Sequence, residues 1–443
     1  MLDILKQIKN NELIKNIIFS GGAQFVNVLF VFILTPLYIK YFEDNVILGV
    51  WLTLISLIEA AANMDLGIGN GMRNKLTSAI AVGDHKKAQT IVSSCYYMVF
   101  GVISILTLVW LVVGYKINWN RYLNIEINRI DSKALTQMVL CVGGAVLIQM
   151  IFKLITSVLY ALQKAAIVSW QIVIVNLSLI IYMLITMKLP LRTKVSYLAI
   201  AYAIIINLPY VITSCIVFIK QMPYLMPKRK FFSLNIASET LKLGLVFFYL
   251  TIMSMFTHNT NEILITSLFS PSLVVEYQAY NRVFSMITLV VNIIMIPVWS
   301  ALTKELALKN YKWIKQAHKY MCLLSVLAFT GGVCLTFILQ IVFDIWLGKG
   351  TIVVSIAYCI PFVLYLVENT IGGANATVAN GCNWLKAQII LAPVSACLNI
   401  PLTLLLRDFL HGWSAIMYAN VLSLLPITIG QFIYVRRKMR EYV

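Results

Sequence analysis

The chain has 443 residues, of which 60% are hydrophobic and only 12% are charged, and its mean hydropathy is +0.86. A water-soluble domain is about one quarter charged, so this composition excludes a soluble globular protein. The alternating short segments of an outer-membrane barrel are also absent. The formal net charge of +18 is typical of basic cytoplasmic loops in membrane proteins, and we therefore predict no nucleic-acid partner.

Twelve stretches of the chain have the length and hydropathy of transmembrane helices. They predict an all-α polytopic membrane protein whose twelve helices form two six-helix repeats in a two-lobed bundle. The predicted parts are an N-terminal lobe over residues 1–220, a basic cytoplasmic connector over 221–242 and a C-terminal lobe over 243–443. The predicted helix cores are residues 17–39, 46–64, 92–114, 137–159, 167–187, 197–218, 243–268, 283–301, 320–342, 352–370, 386–406 and 413–435.

Lysine and arginine are about twice as frequent in the loops of one side as in those of the other, which predicts that both termini are cytoplasmic. The loop over residues 115–136 is the main exception to this bias. The cysteines and histidines show no metal-binding spacing, and no nucleotide-binding motif is present. We therefore predict no catalytic residues, no metal and no cofactor, apart from coupling to an H⁺ or Na⁺ gradient.

Two short segments resemble one another and follow the second helix of each predicted repeat. Residues 76–86 read LTSAIAVGDHK and residues 302–312 read LTKELALKNYK. Six helices separate them, so both would lie on the cytoplasmic side of two parallel halves. A chance match is the alternative. Such halves are typical of transporters that rock around a central site.

The clearest ionisable group inside a predicted helix is Lys153. It shares a polar stripe with Gln149, Thr156 and Tyr160 at helical spacing. Ionisable groups at membrane depth are costly and often functional, so Lys153 and Gln149 are candidate binding residues. The alternative is that Lys153 extends to the interface and only its stem is buried.

Polar side chains also interrupt the first two predicted helices. Gln24 and Asn27 share a face of the first helix, where they would line a cavity or form hydrogen bonds between helices. In the second helix, Glu59 lies at membrane depth and Asp65 lies at its inner edge. Asp65 would act in coupling or pair with Arg73, which follows it in a glycine-rich segment.

The seventh predicted helix contains the densest polar interruption, THNTNE over residues 257–262. His258 and Glu262 are four residues apart and would face one cavity. A carboxyl group in such a place responds to protons or cations, so the pair is a candidate coupling site, with a polar packing seam as the alternative. Glu368 is a weaker candidate, predicted near the inner end of the tenth helix.

Several of these segments together resemble one known family. They are LGVWLTLISL at residues 48–57, MDLGIGNGMRNKLTSAIAVGD at 64–84, the segments TNEILITSLF and VVEYQAYNRVFSM within 260–286, VANGCNWLKAQI at 378–389 and NIPLTLLL at 399–406. The chain resembles the polysaccharide flippases (Wzx-type O-antigen flippases) of the multidrug/oligosaccharidyl-lipid/polysaccharide exporter superfamily. It departs from the family in having Glu262 where aspartate is expected and LGVW where a tyrosine–glycine pair is more usual.

The resemblance implies a fold like that of MATE transporters and a flippase in the bacterial inner membrane. Its cargo would be undecaprenyl-diphosphate-linked oligosaccharide, an O-antigen or capsule-type repeat unit, moved by alternating access. The diphosphate would need cations, for which Lys153, Arg73 and Arg282 are the candidates. The sugar hydroxyls would suit Gln24, Asn27 and Gln149. Implied partners are the lipid-linked oligosaccharide, membrane lipids and other polysaccharide-assembly proteins.

Two other functions fit the same sequence. One is an ion-coupled multidrug or small-molecule exporter of the same superfamily. The other is a membrane polysaccharide polymerase, which the lack of a large external loop disfavours.

Overall fold

The computed structural model describes residues 12–42, 44, 47–49, 51, 54–55, 67–122, 131–258, 260–269, 271–410 and 412–441. Within these residues the regular structure is helical, and the chain divides into two compact units, one ending at Phe248 and the other beginning at Tyr249. The helices are α1 Glu12–Phe42, α2 Ile68–Ala81, α3 His85–Lys116, α4 Trp119–Tyr122, α5 Ser132–Phe152, α6 Leu154–Ala161, α7 Ala165–Thr186, α8 Leu191–Cys215, α9 Leu234–His258, α10 Asn261–Leu268, α11 Pro271–Ala307, α12 Tyr311–Trp346, α13 Ile356–Cys382, α14 Lys386–Leu406 and α15 Ser414–Glu441. A π-helical turn, Ile216–Gln221, and two 3₁₀ turns, Pro223–Leu225 and Arg229–Phe231, join α8 to α9.

Eleven stretches of the described chain are long and apolar enough to cross a bilayer. This confirms the predicted all-α multi-pass membrane protein, because a spanning segment must satisfy its backbone hydrogen bonds internally. The predicted second span, residues 46–64, lies largely outside the described residues. The predicted seventh span is divided, since α9 ends at His258 and α10 begins at Asn261. The boundary between the two compact units falls inside α9.

Four turns between helices share one backbone geometry, with two turns in each unit. In every turn one residue has a positive φ, and the N–H of the next residue donates to the carbonyl five residues back at 2.8 to 3.0 Å. This is the Schellman arrangement, which satisfies the carbonyls at a helix end. The positive-φ residues are Gly83 and Gln163 in the N-terminal unit and Lys309 and Asn383 in the C-terminal unit.

The first of these turns in each unit, at Gly83 and at Lys309, lies in one of the two similar segments of the sequence. After each turn an Asp or Asn side chain caps the next helix: Asp84 Oδ1 accepts from the Lys87 N–H at 2.9 Å, and Asn310 Oδ1 accepts from the Trp313 N–H at 3.3 Å. The aligned segments therefore form the same helix–turn–helix unit. This agreement supports the predicted internal repeat.

Each unit buries its own apolar side chains. The N-terminal unit has one cluster around Trp51 and Tyr41 and a second around Met72 and Leu76. The C-terminal unit packs around Trp413 and Phe362. Many large apolar residues remain exposed on the outside of the helices, as expected for surfaces that lie against lipid rather than water.

Glycine allows α2 and the beginning of α9 to approach closely inside the N-terminal unit. A Cβ atom added to Gly71 would lie 2.8 Å from the carbonyl oxygen of Thr240. Gly67 has a φ of 66°, and a Cβ there would overlap the Gly244 backbone. The glycine-rich segment before Arg73 is therefore a packing surface, and small residues are the ones that permit such contact between helices in membranes.

Gly71→Ala should lower the thermal midpoint of the detergent-solubilised protein, because the added methyl group costs about 1–3 kcal/mol of overpacking. Gly101→Ala in α3 is the matched control, since a Cβ there has no neighbour within 4 Å and alanine favours a helix over glycine. The measurement is the fraction of monodisperse protein left after heating. Equal midpoints for the two variants would contradict the close contact.

Candidate functional site

The N-terminal unit places two cations between α2 and the helices α5 and α6. Lys153 lies at the break between α5 and α6 and lines a small cavity with Gly69 and Ser157. The cavity has a volume of about 20 Å³, which is room for one water molecule. A diphosphate does not fit into it in this conformation.

Arg73 lies on the same side of α2 as Gly69, one turn further along. Its side chain is only 3% exposed, and its guanidinium carbon lies 4.4 Å from the centroid of the Tyr160 ring on α6. The ring face stabilises a desolvated cation. Burial lowers the pKa of Arg73 to about 10, so the group stays protonated at neutral pH. Its predicted partner Asp65 lies outside the described residues.

Other predicted binding residues take part in packing between helices. Gln149 Nε2 donates to the Ile206 carbonyl on α8 at 2.9 Å, and Asn176 Nδ2 on α7 donates to Asn27 Oδ1 on α1 at 2.7 Å. For Asn27 the structure therefore has the helix–helix hydrogen bond that was one of the two predicted alternatives. Gln24 is half-buried on α1.

The C-terminal unit has an open cavity of about 700 Å³ between the start of α11 and the end of α12. Its polar lining includes Glu276, Gln278 and Arg282, and Trp346 contributes an aromatic face. Gln278 Nε2 donates to Glu262 Oε1 at 2.9 Å, which brings Glu262 to the same region. The Arg282 guanidinium has no hydrogen bond or ion pair with another described residue. The volume lies in the range of small-molecule pockets.

The side chains of three of the four predicted coupling residues are not described. Glu59 lies outside the described residues, as Asp65 does, and only the backbone of His258 is described. Glu262 is exposed at the start of α10. The cations Arg73 and Lys153 share one interface. Arg282 lines the cavity of the C-terminal unit, and Glu262 is hydrogen-bonded to its lining residue Gln278. Gln149 and Asn27 lie on other helix contacts.

A chain of buried amides joins four helices of the C-terminal unit. Asn261 Nδ2 donates to the Tyr277 hydroxyl at 2.9 Å, and Asn420 Nδ2 donates to Asn261 Oδ1 at 3.0 Å. Asn399 Nδ2 donates in turn to Asn420 Oδ1. These hydrogen bonds fix the register of the helices, although Asn399 Oδ1 has no hydrogen-bond partner among the described residues. The sequence contained a signal for part of this network, because Asn261 lies in the polar interruption THNTNE over residues 257–262.

Glu368, only a weak candidate from the sequence, is the most unusual buried group of the C-terminal unit. It lies near the middle of α13 rather than at its end, and only 6% of it is exposed. Neither carboxyl oxygen has a hydrogen bond of good geometry among the described residues, and the Thr428 hydroxyl is the polar side-chain group beside it. An ionised carboxylate without a partner is costly in such a place. Glu368 therefore holds a proton or is balanced by a cation.

No family model and no curated protein matches the chain. Solved structures do match it over its full length. A MATE transporter in complex with MaD3S is 12% identical, covers 98% of both chains and has a TM-score of 0.79. An outward-facing multidrug resistance MATE family transporter of the MOP superfamily is 12% identical, with the same coverage and a TM-score of 0.78. The Vibrio cholerae MATE transporter VcmN in its bent form is 12% identical over 97% of this chain and 98% of its own, with a TM-score of 0.75. The chain has the fold of MATE transporters.

Tyr160→Leu should destabilise the N-terminal unit, because it removes the ring that faces the buried Arg73 cation. Tyr160→Phe is the matched control, since it keeps the ring face and loses only the hydroxyl. We expect a loss of about 1–2 kcal/mol for the leucine variant beyond that of the phenylalanine variant. The measurement is the thermal midpoint in neutral detergent. A phenylalanine variant as unstable as the leucine variant would exclude the cation–ring contact as the cause.

Proposed function

We propose that this protein is an ion-coupled membrane exporter that works by alternating access. The observation that carries the proposal is the full-length match to MATE transporters, with TM-scores up to 0.79 over 98% of both chains. The matching turns in the two units add support, because repeated halves are the usual basis of alternating access. All of the solved structures compared above are transporters, which favours transport over an enzymatic function such as polysaccharide polymerisation.

We assign the coupling role first to Glu368. Ionisable groups inside the membrane are functional candidates by default, and Glu368 is buried with no hydrogen-bond partner in the described chain. The groups around it include Tyr365 on its own helix and Thr428 on α15. His318 lies one step further away: its ring bonds Asn375, which donates to the Thr428 carbonyl. Loss of a proton from Glu368 would leave an unbalanced charge among these groups and favour a conformation that admits water.

The leading cargo class is a small amphipathic molecule, since one of the matched structures is that of a multidrug resistance transporter. The cavity of about 700 Å³ beside Arg282 and Trp346 has a suitable size for such a molecule. Glu276 in its lining would select a cationic group, and Arg282 would select an anionic one. Glu262, His258, Glu59 and Asp65 remain further candidates for coupling.

A second candidate cargo is undecaprenyl-diphosphate-linked oligosaccharide, in a flippase of the bacterial inner membrane with both termini cytoplasmic. The observation that favours it is the pair of cations, Arg73 and Lys153, inside the N-terminal unit. A diphosphate needs such cations, whereas a cationic drug would be repelled by them. In this reading Asn27 and Gln149 would release their hydrogen bonds to neighbouring helices and, with Gln24, would contact sugar hydroxyls. Other polysaccharide-assembly proteins would be partners.

Reconstitution into proteoliposomes tests the function and separates the two cargoes. One arm follows a fluorescent cationic amphipath, and the other follows the flipping of a fluorescent undecaprenyl-diphosphate saccharide, each with and without an imposed pH or Na⁺ gradient. Gradient-dependent movement in the first arm supports the small-molecule exporter, and movement in the second supports the flippase. Movement in neither arm, by protein that is monodisperse and inserted, would overturn the proposal.

Glu368→Gln should abolish the dependence of transport on the imposed gradient, because the amide keeps the shape of the side chain and cannot exchange a proton or bind a cation as a carboxylate does. Glu441→Gln at the exposed end of α15 is the matched control and should behave as the wild type. Initial rates at several gradient sizes are the measurement. If Glu368→Gln responds to the gradient as the wild type does, Glu368 is not the coupling group.

Lys153→Ala should abolish complementation of a flippase-null strain while the protein still inserts into the membrane, if the cargo is a diphosphate. Lys315→Ala, an exposed lysine on α12, is the matched control. Surface polysaccharide and the amount of membrane-inserted protein are measured together. Wild-type export by the Lys153 variant would remove this lysine from the site.

A further inference from the structure

The linker segment, residues 222–233, must lie at the surface of the bilayer. A candidate span ends at Gln221 and the next begins at Leu234, so only residues 222–233 separate two membrane crossings. The segment contains two prolines, Pro223 and Pro227, and its turns are short. It has no room to form a domain in the water phase.

The linker segment is held against α3 by hydrogen bonds to its backbone. Ser93 Oγ accepts from the Lys228 N–H at 3.1 Å, and Ser94 Oγ accepts from the Ser233 N–H at 3.0 Å. Both serines are fully buried. Because both ends of the basic stretch are bonded to α3, its side chains have a defined place on the N-terminal unit.

This packing brings cations from three parts of the chain to one surface. The ring of His85 lies 4.6 Å from that of Tyr224, which places the start of α3 beside the linker segment. Lys164, in the turn after α6, donates to Gln221. Asp84, which caps α3, and Glu239, which bonds Lys75 at 2.8 Å, offset the charge only in part. The cations of this surface are Lys86, Lys87, Lys164, Lys220, Lys228, Arg229 and Lys230.

Large apolar side chains are exposed among these cations. The exposed fraction is 64% for Ile219, 44% for Met226, 42% for Phe232 and 72% for Leu234. A surface made only to bind a soluble acidic partner has no need of apolar residues at the bilayer boundary. Cations beside exposed apolar side chains are the combination that binds head groups and acyl chains together.

We propose that the linker segment, the adjoining ends of its two flanking spans, Lys164 and the start of α3 form a binding surface for anionic phospholipids. The Lys and Arg side chains contact the phosphate groups, and Ile219, Met226, Phe232 and Leu234 contact the acyl chains. The proposal goes beyond the export function and does not depend on the cargo. Because the linker segment is hydrogen-bonded to α3, the lipid would be bound to the N-terminal unit.

The test compares lipid retention by full-length variants purified in neutral detergent. Phosphatidylglycerol and phosphatidylcholine are added at equal concentration, and the lipids kept by the protein are counted by native mass spectrometry at low and high salt. The test variant is K228Q/R229Q/K230Q. The matched control is K304Q/K312Q/K315Q, which removes three exposed cations of the C-terminal unit.

The wild type should prefer phosphatidylglycerol, and this preference should fall as salt screens the charges. Each basic side chain near a lipid surface strengthens binding about fivefold. The ratio of phosphatidylglycerol to phosphatidylcholine kept by the test variant should therefore be at least tenfold lower than that of the wild type. The control variant should retain it. K86Q/K87Q probes the same surface from α3 and serves if the triple variant does not fold.

Two results would overturn the proposal. One is wild-type preference for phosphatidylglycerol in both K228Q/R229Q/K230Q and K86Q/K87Q, which would leave an acidic protein as the occupant of the surface. The other is an equal loss in the control variant, which would mean that net charge rather than this surface retains the lipid. Transport is not a readout here, so a failed exporter proposal leaves the lipid result intact.

Discussion

The bilayer provides no water to satisfy a polar group, and this constraint explains most of the structure. Each spanning helix satisfies its own backbone, and the four Schellman turns satisfy the carbonyls where helices end. Side chains follow the same rule. The amides of Asn261, Asn399 and Asn420 bond one another, and Asn27 bonds Asn176. Polar residues in these helices therefore serve first to hold helices together.

Buried charged groups are more expensive than buried amides, and the two units stabilise them differently. In the N-terminal unit, the guanidinium group of Arg73 lies over the ring of Tyr160, whose face stabilises the cation. In the C-terminal unit, Glu368 is buried with no hydrogen-bond partner among the described residues. The arginine is stable as it stands, whereas the carboxyl group is stable only with a proton or a cation. This difference is why Glu368 is the better candidate for coupling.

The roles of individual residues were harder to predict than the helices. Gln149 and Asn27 have polar side chains at a membrane depth typical of cavity-lining residues. Both nevertheless form hydrogen bonds between helices. Periodicity places a residue on a face of its helix, but it does not say whether a neighbouring helix, lipid or a cavity covers that face. Glu368 shows the opposite case, because its place near the middle of α13 became clear only once the helix had its observed ends.

The sequence by itself determined the multi-pass helical class, the approximate spans and the repeated turns. Hydropathy and the capping and turn residues are local properties, and the bilayer makes hydropathy decisive. Only the tertiary structure decided which polar groups meet. Arg73 and Tyr160 are far apart in the chain, and so are Ser93 and Lys228. The linker segment is the clearest example. Its own charges can be read from the sequence, but only its packing against α3 brings them close to Lys86, Lys87 and Lys164. Such contacts join residues that no local pattern links, because they are selected by shape and by the need of each buried polar group for a partner.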